Sequence, residues 1–103
     1  MFGLIGKLKA QPGQRDALVD YLLRAAELVP EIDGCYLYVI NKAVDDPDTI
    51  WITEAWRSRA DHQASLGSEA VRAIITAARP LIAEAGGGFE VIPVGGKGLP
   101  KSG

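Results

Sequence analysis

The sequence predicts a single α+β domain, an antiparallel sheet of four strands with its helical segments on one face. Three observations carry this. Short stretches rich in β-branched and aromatic residues read as strands, and two longer stretches repeat apolar residues at three- and four-residue steps. Clusters of Gly, Pro and Asp stand where one pattern gives way to the next. The 103 residues suit one domain and leave little room for a second.

Residues 2–10 form the first expected strand, ended by the turn signal Gln11-Pro12-Gly13. From Gln14 the period changes. Leu18, Tyr21, Leu22, Ala25, Leu28 and Val29 make an amphipathic helix that Pro30 closes, and Asp33-Gly34 turns the chain. Residues 35–40 (CYLYVI) and 49–56 (TIWITEAW) read as two strands of an antiparallel hairpin, with the polar stretch 41–48 as its loop. Ser58, with Asp61 three residues on, caps a short helix over 59–66. Gly67-Ser68 then breaks it, and Ser68 caps a second helix expected over 69–84, with a kink or break near Pro80. Gly86-Gly87-Gly88 is expected to stop that helix, and residues 89–94 to form the last strand. The order β-α-β-β-α-β, with right-handed crossovers, is the ferredoxin-like split βαβ arrangement. It occupies 1–95 and leaves 96–103 as a patternless, mobile tail.

Composition excludes several function classes. A net charge of -2 with acids and bases interspersed gives no basic stripe for nucleic acid. The longest apolar runs, such as Ala73-Ile74-Ile75, are too short to span a bilayer. Met1 to Gly6 lacks the basic segment of a signal peptide and is broken by glycines, so a cytoplasmic location is expected. Cys35 is the only cysteine and His62 the only histidine, so no metal set and no disulfide framework can be assembled within one chain. No glycine run has dinucleotide or phosphate-loop spacing.

The strands carry apolar residues on both parities. Tyr36, Tyr38 and Ile40 alternate with Cys35, Leu37 and Val39, while Ile50, Ile52 and Trp56 alternate with Trp51, Thr53 and Ala55. Helices cover only one face of such a sheet, and the uncovered face reaches the size that marks an interaction site. A second copy of the sheet is the simplest cover, so a homodimer joined sheet to sheet is expected, with Trp51, Tyr36 and Tyr38 as its anchors.

Glu54-Ala55-Trp56-Arg57-Ser58, followed by Ala60, Ala64-Ser65-Leu66, the Gly67-Ser68 break and a helix, resembles the antibiotic biosynthesis monooxygenase family, over about residues 2–94. The resemblance implies a dimeric α+β barrel. It further implies oxidation of a small quinol, anthrone or related aromatic substrate by O₂ without metal, haem or flavin. The chain departs from the family in places. Ser65 and Ala70 stand where many members carry histidines, His62 falls where polyketide-modifying members use a tyrosine, and Ile52 falls near their strand asparagine. Haem-degrading relatives need a helix histidine near Ile75 and an asparagine in the first strand, and this chain has neither.

Within that resemblance, His62 and Trp56 are the expected catalytic residues. Histidine is the side chain whose ordinary pKa lies nearest neutrality, and its position four residues before Leu66 points it towards the sheet. A helix histidine in an ordinary hydrogen bond is the competing reading. Trp56 shares strand parity with Ile52 and Glu54, where its indole can wall a planar substrate or simply pack the core. Glu54 on that face needs a partner, for which Arg72 or Arg79 is at hand, and reads first as a structural ion pair. Glu54, Ile52 and Arg72 are the expected substrate-contacting set, and no cofactor or metal is expected. A non-catalytic dimeric module binding a small apolar ligand, and a proton-transfer isomerase, are the alternatives.

Overall fold

In a computed structural model, residues 1–28 and 33–100 are described. Strand β1 (Phe2–Ala10) leads through the Gln11–Gly13 turn into α1 (Arg15–Leu28). Leu18, Leu22 and Ala25 are the buried stripe of α1, at the helical spacing that packs one face. The expected stop at Pro30 lies outside the described residues. Gly34, at φ +88°, takes the left-handed conformation that the turn into β2 (Cys35–Lys42) requires, and its carbonyl accepts from the Arg57 amide at 2.7 Å.

Strands β2 and β3 (Thr49–Trp56) form the expected antiparallel hairpin. Arg15, the first residue of α1, pins its loop. One guanidinium nitrogen donates to the carbonyls of Ala43, Asp46 and Thr49 at 3.1, 2.7 and 3.4 Å. The loop sets the register: Lys42 faces Ile50, Ile40 faces Ile52 and Tyr38 faces Glu54. A bulge then leaves Tyr36 unpaired and brings Cys35 opposite Trp56.

Ser58 caps α2 (Arg59–Ser65) by accepting from the Asp61 amide. Asp61 does not return the bond to the cap backbone; its carboxylate takes the Ser58 hydroxyl and a two-pronged bond from Arg57. Ser68 caps α3 (Glu69–Ala78) through the Val71 amide. The sequence expectation fails after that point. The helix ends at Ala78, Arg79–Leu81 form a 3₁₀ turn with Pro80 inside it, and β4 runs over Ile82–Val91. Proline cannot donate its missing N–H to a continuing helix, so the chain leaves helical geometry a full turn earlier than expected. Gly86-Gly87-Gly88 is therefore not a helix stop but the middle of a strand. All three glycines have positive φ, and a Cβ at Gly88 would run into the Ile5 carbonyl.

The sheet order is β2-β3-β1-β4, every neighbour antiparallel, with the helices on one face. Leu18 and Leu22 of α1, Ala78 of α3, and Ala10, Ile50 and Ile52 of the sheet form the larger core, and Phe2 with Trp56 forms a second. Tyr38 packs against both cores. It is thus a helix-side residue, which corrects its expected place at a dimer interface. Alternation along β2 groups residues but cannot say which group shares a face with Glu54; the hairpin register decides that. Tyr36 is half-exposed in the bulge, and Trp51 keeps its expected place on the outer face, where the Lys7 ammonium lies 5.6 Å from its ring.

Candidate active site

The register that makes Glu54 face Tyr38 also places it two residues from Trp56 on the helix-side face. All three meet the first helical turns after the hairpin. Glu54 is 9% exposed and Trp56 1%, so a carboxylate sits where water cannot serve it. The Trp56 indole answers that need: Nε1 donates to Glu54 Oε1 at 3.1 Å. His62, on α2, presents Nε2 to the same oxygen at 3.8 Å. The expected arginine partner is absent from this pairing, since Trp56 and His62 occupy the carboxylate and Arg72 is exposed on α3.

The imidazole is held on two further sides. Phe2 stacks on it with ring centroids 5.2 Å apart, and the Trp56 indole meets it edge-on at 5.5 Å. The Arg59 guanidinium lies 4.7 Å from the outer face of the Phe2 ring and makes a bidentate pair with Glu90 of β4. Ser65 donates its hydroxyl to the His62 carbonyl, which fixes the last turn of the short helix. Phe2 and the Arg59–Glu90 pair were not anticipated from the sequence. The β1–β3 pairing, which sets Phe2 opposite Trp56, and the β1–β4 pairing, which sets Glu90 opposite Leu4, bring them here.

Electrostatics follow burial. Desolvation raises the Glu54 carboxyl above its ordinary pKa, against the Trp56 hydrogen bond and the His62 charge, which favour the anion. Burial, then the Glu54 and Cys35 charges, push the Tyr38 phenol well above its ordinary range. The Cys35 thiol is likewise raised by burial.

Two voids have Tyr38 in their linings. A cavity of about 90 Å³ is lined by Tyr38, Glu54, Trp56, His62 and Ser65. A groove of about 600 Å³ runs between the sheet and α3, walled by Leu8, Leu22, Ile52, Ile75 and Ile82, with Tyr38 at its inner wall. Ile52 thus lines the groove as an apolar wall, while Arg72 lines neither void. Arg79, rather than Arg72, is the charged side chain beside the groove. Among the described residues, no group of three His, Cys, Asp or Glu side chains is arranged to hold a metal ion, and no helix is long and apolar enough to cross a membrane.

Comparison with known proteins bears on the family and the fold. Residues 1–77 match the model of the antibiotic biosynthesis monooxygenase family. A solved structure from Chloroflexus aurantiacus J-10-fl, assigned as an antibiotic biosynthesis monooxygenase, is 46% identical, covers 96% of this chain with 98% of its own, and superposes with a TM-score of 0.86. Structures with the same assignment from Caulobacter crescentus CB15 (21% identity, 91% and 90% covered, TM-score 0.84) and Nitrosomonas europaea (18% identity, 91% and 99% covered, TM-score 0.83) share the fold. No protein of curated function matches the chain.

Proposed function

The chain belongs to the antibiotic biosynthesis monooxygenase family, and from that premise we propose that it oxidises a small quinol, anthrone or related aromatic substrate with O₂, using no cofactor. The observation that carries this is the buried Glu54–His62 pair, which lines a small cavity with Tyr38, itself a wall of an apolar groove. Oxygenation without a metal or flavin needs the substrate as an anion, because only the anion gives up an electron readily to O₂. His62 is the base that removes the proton, and Glu54 stabilises the imidazolium that results. The Trp56 hydrogen bond keeps the Glu54 oxygen aimed at Nε2.

For an anthrone-type methylene, His62 takes one proton and the carbanion passes one electron to O₂. The substrate radical and superoxide then join to form a C–O bond. Loss of water from the protonated peroxide leaves a carbonyl. One oxygen atom stays in the product, and the other leaves as water with the two methylene hydrogens, so the four electrons of the CH₂-to-C=O oxidation reduce one O₂.

The two voids divide the reactants by size. A water molecule takes about 30 Å³ of liquid, so the smaller cavity suits water or O₂ but no aromatic ring. The groove is in the ordinary range for a small-molecule site.

The protein works as a homodimer joined through the outer sheet face. Val39 (40% exposed), Phe89 (57%) and Val91 (37%) share that face with Ile5 and Trp51, and the helices lie on the other side.

Oxygen uptake with a panel of quinols and anthrones tests the chemistry: turnover is expected in the unmutated protein. Tight binding with no oxygen uptake by any member would replace it with the second reading, a ligand-binding module, which the apolar lining of the groove favours.

A further inference from the structure

The Tyr38 hydroxyl has no assigned task. It lines both the small cavity beside Glu54 and His62 and the large apolar groove, and among the described residues nothing hydrogen-bonds it. Among the described residues the fully buried side-chain polar atom without a partner is Thr49 Oγ1, so the unpaired Tyr38 hydroxyl opens onto accessible space. Nothing in the packing demands the hydroxyl either. The ring alone would pack against both cores.

We propose that Tyr38, which lines both voids, is the hydrogen-bond donor that holds the reacting oxygen of a phenolic or quinolic ring. The ring lies in the groove against Leu8, Ile52, Ile75 and Ile82, and the oxygen end meets Tyr38 on the side where His62 and Glu54 stand. Burial keeps the phenol protonated through the neutral range, so it donates to that oxygen and does not compete with His62 for a proton. A donor is what the developing substrate anion requires, since Glu54 nearby would otherwise repel it. The placement also explains a choice of residue. Phenylalanine would pack equally well between the two cores, whereas only tyrosine reads a substrate oxygen.

The inference rests on the oxygenase reading of this site, but its test reads binding rather than turnover. The affinities of 1-naphthol and of its isostere 1-methylnaphthalene are measured by equilibrium dialysis without oxygen, for the unmutated protein and for Tyr38→Phe and His62→Gln. Thermal melting checks that both variants are folded. In Tyr38→Phe the preference for the hydroxyl over the methyl compound is expected to fall about tenfold, the upper end of one neutral hydrogen bond, with the methyl compound binding as before. An unchanged preference in Tyr38→Phe overturns the assignment, as does failure of both compounds to bind the unmutated protein. Loss of the preference in His62→Gln alone gives the oxygen to the imidazole and also overturns it. Should the oxygenase reading fail instead, no quinol would be turned over while the naphthol preference and its dependence on Tyr38 remained.

Discussion

Tyr38 stands directly opposite Glu54 across the β2–β3 pair, on the helix side of the sheet. The position joins the two parts of the site. The carboxylate is held by Trp56 and His62, and the phenol faces the groove that could hold a ring. The relation depends on a distant arginine, because Arg15 pins the hairpin loop that sets the register.

His62→Gln is expected to remove about 10² to 10⁴ of the oxygenation rate, the usual cost of losing a positioned base. Melting temperature and assembly should stay close to those of the unmutated protein. Full turnover by His62→Gln would move the base elsewhere.

Glu54 gives a pH signature of stability. Its pKa is raised by burial, so the folded protein keeps that proton to higher pH than the unfolded chain does. The stability it contributes is complete below the unfolded value near 4.5 and is lost as pH rises through the folded one. Glu54→Gln removes this titration. The melting temperature of the variant minus that of the unmutated protein should therefore become more positive between about pH 4 and about pH 8. Asp61 and Glu90, whose pKa values are lowered by their arginine partners, are present in both proteins and cancel. A difference that shrinks with rising pH would contradict the assignment.

Trp51→Asp is expected to weaken the homodimer, by removing a large apolar ring from the interface and leaving a carboxylate beside Lys7 in its place. Phe89→Asp, on the same face, should act in the same direction. Tyr38→Asp would instead strike the core and lower the melting temperature. Sedimentation velocity separates these effects, and a monomeric unmutated protein at micromolar concentration would rule out the dimer.

Two glycines of β4 should differ in their tolerance of alanine. Gly86 has a positive φ with open space around its missing Cβ, so Gly86→Ala costs only backbone strain, about 1–2 kcal/mol. Gly88 has similar strain and also abuts the Ile5 carbonyl, so Gly88→Ala should cost about 1–3 kcal/mol more. Chemical denaturation of the two variants measures the gap; equal losses would mean that β4 moves away from β1 to make room.

The sequence by itself determined the element order, the hairpin, both serine caps and the face that unites Ile52, Glu54 and Trp56. These are local matters: period, turn chemistry and capping act within a few residues. It also drew attention to His62, the one histidine, and to Trp56, which shares strand parity with Glu54. The glycine run misled, since Gly86-Gly87-Gly88 next to an apolar helical pattern looks like a stop signal. In the fold it allows close passage of β4 beside β1, which only strand pairing reveals. Glu54's true partners, the Phe2 stack and the Arg59–Glu90 pair all join residues from different elements. Which face Tyr38 takes was decided by the tertiary structure for the same reason: alternation sorts a strand's residues into two sets, and only the register against a neighbouring strand says which set meets the helices.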